Sequence, residues 1–492
     1  MTTTDDRKTL PVPFAVTDAA RIPTARYHDP NFYELEREQL WPKVWQMACR
    51  LEEIPTPGDF VVYDIFDQSV IVLRDHDGSV KAFHNACRHR GTRLADDRGH
   101  VDNGFVCSFH AWCYGLDGAN THIHAPELFN AKDIVPDDVA LRRCRVELWG
   151  GSAFINFDDD APPLRESLEP FASILDQHHV DKMRAEWWVA IRVPANWKVS
   201  VEAFLEGYHV LATHPQLLRE GLTAKNATYK PVVGTTFRDP PAVAAVDSKA
   251  FIDNTIGFLR TTSVGMAGMV HEKDLAVAET LRDLELPAPP DLAAKTFIGT
   301  LNNAIVDWNE QTGRDIADLN DLLAKGLAFP AAHPVFFGFP NYFLLPVFGN
   351  AASYRIRPLG PEECLFEIWS LTLYPEGEEP PPLPTPDVWE CDDPRIPPIP
   401  TQDFTNTPRQ QQGLHTKGFE FMRLSEETEG VISNYQRLID GYLAGLGYEQ
   451  LVPAVQKVNS EIETPAADLG FGPTPSVIGP GHGHDPEAVR QL

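Results

Sequence analysis

Two short segments carry side chains able to hold a metal: "CRHRG", with Cys87 and His89, and "CSFHAW", with Cys107 and His110. They read Cys-x-His, a gap of 17 residues, then Cys-x-x-His. Thiolates and imidazoles in close pairs suit zinc or an iron–sulfur cluster. Zinc sites often present two cysteines per half, whereas each half here offers one cysteine and one histidine. A cluster of two irons needs two protein ligands on each iron. If thiolates take one iron and imidazoles the other, each loop reaches both metals, and the imidazoles raise the reduction potential. Cys113, six residues beyond Cys107, reads as a packed thiol, and His84, His100, His122 and His124 fit no ligand spacing.

A second group lies in "NWKVSVEAFLEGYHVLATHPQLL", where His209 and His214 stand five apart behind Glu202 and Glu206. Five residues of straight α-helix turn through about 500°, which points the two imidazoles about 140° apart. They share a metal only where the helix ends or bulges between them, and Pro215 is a helix-stop signal. Spacing alone leaves that metal open.

The elements around these groups follow from pattern. Asp29-Pro30 opens a helix over "NFYELEREQLWPKVW". The runs "FVVYDIF", "SVIVLRD" and "SVKAFHN", with turns at Asp77-Gly78, Asp117-Gly118 and Gly150-Gly151, predict a small antiparallel β domain over about 45–160. From about 185 onward, strand-like pieces ("EWWVAIRV", "YFLLPVF", "SYRIRPL", "CLFEIWSLTLY") alternate with helical ones. The proline-rich "EEPPPLPTPDVWECDDPRIPPIP" reads as an extended crossing without a regular element, and "SEETEGVISNYQRLIDGYLAGLG" as a late helix. The expected division is an N-terminal helical segment over 1–44, the β domain over 45–160, a mixed domain over 161–470 and a loose tail over 471–492.

At 492 residues with 43% hydrophobic content, the chain is long enough for two or three packed units. A net charge of −28 argues against binding nucleic acid or anionic lipid. The longest uncharged stretch, 326–354, is broken by four prolines and does not read as a membrane span. Seven cysteines without a secretory signal fit a reducing cytoplasm, where Cys and His pairs more often mean metal than disulfide.

The first motif, continued through "CSFHAWCYGLDG", resembles the Rieske motif of ring-hydroxylating oxygenases, whose members usually read Tyr-His-Gly-Trp where this chain has Phe109-His110-Ala111-Trp112. Asn196-Trp197-Lys198, Glu202, Glu206, Tyr208-His209 and His214 resemble the catalytic-iron segment of the same family. The likeness extends over about 30–450. It implies an α+β fold, with an antiparallel β Rieske [2Fe–2S] domain followed by a helix-grip-like catalytic domain. Cys87, His89, Cys107 and His110 would hold the cluster. His209, His214 and Asp403, ahead of Gln412-Gly413-Leu414, would hold a mononuclear Fe(II), with Asp392 and Asp393 as alternatives for the carboxylate. Glu206 would bridge His209 to a Rieske histidine of a neighbouring subunit, and Glu202 would support the site from behind.

The resemblance further implies the catalytic α subunit of a multicomponent oxygenase, a homotrimer with or without a β subunit. Electrons would pass from NAD(P)H through a separate reductase or ferredoxin, since no Gly-rich dinucleotide fingerprint follows a strand here. O₂ would then hydroxylate a substrate that we expect to be apolar, an aromatic or polycyclic compound. The alternative is N- or O-dealkylation. Phe204, Leu205, Val210, Leu211, Leu217 and the stretch 336–343 are candidates for the pocket wall. Arg88, Arg90, Arg93 and Arg98 form a basic collar that either docks an acidic ferredoxin or pairs with Asp96, Asp97 and Asp102. Rival readings are an electron carrier with a lost second site and a zinc hydrolase built on His209, His214 and Asp403.

Overall fold

The computed structural model describes residues 11–217, 229–230, 236–237, 248–266, 268–287, 290–328, 335–378, 380, 382–460 and 466–472. The loose tail expected from 471 therefore lies outside the described residues beyond 472.

Helix α1 (Pro30–Gln39) begins as its sequence dictates. The Asp29 carboxylate accepts from the backbone N–H groups of Asn31 and Phe32, and Pro30 occupies a position that needs no donor. After it comes β1 (Gln46–Arg50), then β2 (Asp59–Ile65), β3 (Gln68–Arg74), β4 (Val80–His84) and β5 (Gly99–His100), which form an antiparallel sheet in the order β4-β3-β2-β5. Gly78 takes a φ of 82° in the β3–β4 turn, a left-handed conformation that glycine adopts without strain. A second small sheet holds β6 (Phe105–Val106), β7 (Cys113–Tyr114) and β8 (Asn120–His122). β9 (Arg145–Trp149) turns through Gly150-Gly151 into β10 (Ser152–Asn156), which pairs with β1.

The larger part is built on a sheet with the order β12-β13-β14-β15-β11-β16. These strands are β11 (Met183–Val193), β12 (Phe336–Gly338), β13 (Tyr342–Val347), β14 (Asn350–Gly360), β15 (Glu363–Leu373) and β16 (Val388–Glu390). All neighbours run antiparallel except β11 and β16. β16 corrects the expectation for the proline-rich stretch, because the three residues between its prolines find open backbone on β11 and pair there in parallel. Helices α2 (Trp197–Glu202), α3 (Val210–Thr213), α4 (Ser248–Gly265), α5 (Pro290–Gln311), α6 (Pro398–Leu414), α7 (Glu426–Leu443) and α8 (Tyr448–Ser460) accompany the sheet. α2 packs on β14 and β15, and α6 packs against both α2 and α4. No helix among the described residues is long and apolar enough to cross a membrane.

A buried charge network fastens the sheet to the N-terminal strands. Arg355 on β14 makes a two-pronged pair with Glu367 on β15, at 2.8 and 2.7 Å. Its remaining nitrogen donates to the carbonyls of Met47 and Ala48 on β1. Arg357 bonds the same carboxylate at 2.9 Å and reaches the Asp64 carbonyl on β2. The apolar core is likewise continuous from Trp41 and Tyr63 through Trp197 to Trp369. A smaller cluster lies beneath the two Cys/His loops, with Phe83, Phe105, Trp112 and Tyr114 at its centre. The expected mixture of antiparallel sheets and helices is what forms.

Candidate active site

His209 and His214 come together because the helix is broken around them. α2 ends at Glu202 and the chain makes tight turns over 203–208. His209 then caps α3, a single turn of four residues, and His214 closes it with φ −120° and ψ 59°. Pro215 starts a separate 3₁₀ turn. The two rings lie 5.2 Å apart, centroid to centroid.

Asp403 comes from α6. The segment "TQDFTNTPRQQQGL" is helical from a proline-rich start and tolerates Pro408 in its interior. Asp403 is buried, with Oδ1 3.0 Å from His214 Nε2 and 3.7 Å from His209 Nε2. Asp392 and Asp393 do not approach the site: Asp392 is exposed, and Asp393 is bonded to Arg395.

The outward nitrogens of both rings are committed. His209 Nδ1 lies 2.7 Å from Glu206 Oε1, and the His209 backbone N–H donates to Glu206 Oε2 at 3.0 Å. His214 Nδ1 donates to Gln402 Oε1 at 2.7 Å. Both contacts place the proton on Nδ1 and leave Nε2 as the lone-pair donor facing Asp403. One ligand atom from each of the three residues fits within a 4.8 Å span. This two-histidine, one-carboxylate set is the donor chemistry of a non-haem Fe(II) centre. Burial draws the His209 imidazolium down, but the Glu206 hydrogen bond and the Glu206 and Asp403 charges outweigh it and hold the pKa above the usual histidine value. Gln402 was invisible to spacing arguments, since its role depends on a fold contact spanning 188 residues.

Two cavities share Glu206, His209 and Asp403. One, of about 100 Å³, is apolar and is lined by Phe204, Val210 and Leu217 together with Phe258, Met266 and Met269 from the α4 region. Leu205 and the stretch 336–343 do not line it. Leu205 is fully buried in the core, and Phe337 and Phe343 pack among other core rings. The Leu211 side chain, Arg219 and Lys225 lie outside the described residues. The α4 residues escaped sequence reasoning because their spacing at 258, 262 and 266 reads as an ordinary buried helix stripe. The other cavity, of about 290 Å³, is polar, and adds Glu202, Gln410, Arg423 and Glu429 to the shared residues.

The two Cys/His loops have matching backbones. Cys87 N–H donates to the Thr92 carbonyl, and Gly91 N–H donates back to the Cys87 carbonyl. Cys107 N–H donates to the Trp112 carbonyl, and Ala111 N–H to the Cys107 carbonyl, in the same offsets. The fifth position of each is left-handed, with φ 78° at Gly91 and 55° at Ala111. The loops bring the His89 and His110 rings to 4.5 Å, and His89 stacks on Trp112 at 5.0 Å. Both thiols are buried. Burial pushes the Cys107 thiol up, but backbone N–H groups of Phe109 and His110 aimed at its sulfur outweigh this and favour thiolate. His89 Nδ1 is buried and has no hydrogen-bond partner among the described residues. Two thiols and two imidazoles converging with an uncommitted ring nitrogen fit a cluster with mixed ligands. No residue of these loops lines either cavity beside His209.

The arginine collar divides between its two readings. Arg93 pairs with Asp64 and Asp96, and Arg98 with Glu53. Arg88 and Arg90 have no ion-pair partner among the described residues, and Arg90 lies over the exposed Phe109 ring. Asp102 sits beside His100 rather than an arginine. Cys113 is part-buried, its thiol directed to the Ala111 carbonyl.

Residues 44–132 match the Rieske [2Fe–2S] domain model, and residues 180–445 match that of the ring-hydroxylating alpha subunit catalytic domain. The carnitine monooxygenase oxygenase subunit of Escherichia coli K12 is 33% identical over 202 residues, which is 40% of this chain and 53% of that protein. The glycine betaine monooxygenase oxygenase subunit of Pseudomonas aeruginosa PAO1 is 31% identical over 226 residues, 45% of this chain and 51% of that protein. The anthranilate 1,2-dioxygenase large subunit of Acinetobacter baylyi is 34% identical over 203 residues, 39% of this chain and 42% of that protein. The chain thus spans about half the length of the curated relatives it matches. Among solved structures, a quaternary ammonium Rieske monooxygenase aligns with TM-score 0.57 at 17% identity, over 88% of this chain and 99% of that one. Naphthalene 1,2-dioxygenase from Rhodococcus sp. aligns with TM-score 0.56 at 17% identity, over 86% and 93%. These likenesses establish the fold.

Proposed function

The chain belongs to the ring-hydroxylating alpha subunit family, and from that premise we propose that it is the terminal oxygenase of a Rieske monooxygenase system acting on an N-alkylated organic cation. The observation that carries the oxygenase reading is the convergence of His209 Nε2, His214 Nε2 and Asp403 Oδ1 beside an apolar cavity. With Cys87, His89, Cys107 and His110 holding a [2Fe–2S] cluster, and His209, His214 and Asp403 holding Fe(II), the bound groups would supply one-electron storage and O₂ activation.

The protein's own part is positioning. Glu206 and Gln402 hold the two imidazoles in one tautomer, so that both Nε2 lone pairs stay directed at the site. Phe204, Val210, Leu217, Phe258, Met266 and Met269 exclude water from the space where a substrate carbon would sit. Because the Cys/His loops line neither cavity, the electron is expected to arrive from the loops of a second copy, which supports a ring-shaped homo-oligomer. Glu206, in contact with His209, would bridge to a histidine of that copy, a role its contact with His209 supports. Arg88 and Arg90 would face an acidic ferredoxin or reductase.

For the substrate, two of the relatives are named for carnitine and glycine betaine, which favours the dealkylating alternative over the aromatic substrate first expected. The cavity suits such a cation. Its thioethers and the Phe204 and Phe258 rings accept weakly hydrated N-alkyl groups, while Glu206 and Asp403 supply negative charge at one end. The absence of any other charged side chain among the described lining residues favours a second reading, hydroxylation of a neutral ring. Single turnover of the reduced, iron-loaded protein under ¹⁸O₂ separates the two. Release of an aldehyde with a dealkylated amine supports the cation reading, whereas a labelled ring alcohol or diol supports the second. Product formed without O₂ would sink both.

A further inference from the structure

Behind the iron-side histidines lies a buried polar cluster that positioning alone does not explain. Lys198 and Glu36 pair at 2.6 Å with both side chains fully buried, and Arg26 pairs with Asp440 at 2.5 Å, also buried. These two cations and two anions satisfy one another, and Arg437, which also acts on Asp440, is answered by Asp468. Glu202 is a fifth ionisable group, 5% exposed, with no cation of its own. Its Oε1 accepts from the Tyr27 hydroxyl at 2.9 Å and from the Gln436 amide, whereas Oε2 meets the Tyr27 hydroxyl alone among the described residues. The elements packed around it are thus accounted for: Arg26 and Tyr27 before α1, Glu36 on α1, Lys198 on its own α2, and Tyr435, Gln436 and Asp440 on α7. Ionised, Glu202 would leave this buried cluster with one uncompensated negative charge, which is costly; protonated, it leaves the cluster neutral.

Glu202 is also not sealed off. It lines the polar cavity with Glu206, His209, Asp403, Arg423 and Glu429, and it stands four residues before Glu206 in sequence. We propose that Glu202 is the proton reservoir of the site: a buried carboxylic acid that releases its proton into the polar cavity shared with Glu206 and recovers one from solvent by the same route. The exchange is a proton only. The O–H bond on Glu202 breaks, cavity water carries the proton towards the Glu206 carboxylate, and the Tyr27 and Gln436 donors stabilise the carboxylate left behind. Burial raises the Glu202 carboxyl to about 7, with the Gln436 and Tyr27 hydrogen bonds and the Lys198 and Arg26 charges holding it from going higher. That places its titration where a proton can be both held and given up. Glu202 is a positioning residue in this role, since it touches neither the metal ligands nor the substrate cavity. The oxygenase reading enters only in what the proton is used for.

Infrared difference spectroscopy of the iron-loaded protein between pH 5 and 9 tests this directly. Wild type should show a carboxylic-acid C=O band that disappears with a midpoint near neutrality, and Glu202→Gln should lack that component. Asp274, which burial raises to about 6, contributes a band that the Gln variant leaves in place. If the Gln variant does not fold, Glu202→Asp must move the midpoint, because a shorter arm alters the Tyr27 and Gln436 contacts. A wild-type spectrum with no titrating acid band, or a band unchanged in either variant, overturns the proposal. A titrating Glu202 in a protein that oxidises nothing would refute the oxygenase reading instead.

Discussion

His214 Nδ1 donates a 2.7 Å hydrogen bond to Gln402, and Gln402 is the residue immediately before Asp403 on α6. One helix therefore delivers the carboxylate and also sets the tautomer of a histidine that faces it. Removing that support should loosen the metal without touching a ligand. Gln402→Ala is expected to lower Fe(II) affinity about 10–100-fold, as measured by iron retained after dialysis against graded chelator. Gln402→Glu, which keeps an acceptor, should recover most of it.

The Ala111 backbone is held at φ 55°, where the family usually has glycine. A Cβ in the left-handed region costs roughly 1–2 kcal/mol, partly offset because alanine is less flexible when unfolded. Ala111→Gly should therefore stabilise the loop by about 1 kcal/mol. The check is the denaturant midpoint for loss of the cluster's visible absorbance, which should move upward.

Glu367 supplies an acid-dependent prediction. Burial alone would raise its carboxyl, but Arg355 and Arg357 outweigh this and hold it at about 2. A depressed folded value means stability present above the ordinary carboxylate range near 4.5 and lost as pH falls through it towards 2. The difference amounts to about 3 kcal/mol. Glu367→Gln should cost about 3–5 kcal/mol at pH 7 by leaving the buried Arg355 guanidinium and the part-buried Arg357 guanidinium without their carboxylate, and should cost little near pH 2. Chemical unfolding followed at both pH values reads the contrast.

Filling the apolar cavity should separate binding from metal loading. Met266→Trp places a large ring in about 100 Å³ of space without disturbing His209, His214 or Asp403. Iron content should stay at the wild-type level while KM for the substrate rises about tenfold or more. Loss of iron in this variant would show that Met266 supports the metal centre instead.

What the sequence disclosed depended on how local each determinant is. Cys87, His89, Cys107 and His110 sit on two self-contained loops, so their types and spacing were enough to bring them to notice. His209 and His214 could be suspected but not joined, because their meeting depends on α2 ending early and on the short α3, a break that Pro215 only hinted at. Asp403 had no local signature. It was reached through the resemblance to a family, and its helix starts inside the proline-rich stretch read as an extended crossing. Gln402, Glu429 and the cavity wall from α4 arise from packing between segments far apart in sequence, and no window of residues records that. The substrate expectation had the weakest footing, since an apolar lining is shared by ring-binding and alkylammonium-binding sites alike.

The paired backbone of the two Cys/His loops bears on how the chain matures. Each tip is knotted by hydrogen bonds between its own cysteine and the residues four and five positions later, so its curvature is set by the chain itself. Hydrogen bonds of this kind need no metal in order to form. Protein stripped of iron and sulfide should therefore regain its visible absorbance on reloading without being unfolded first.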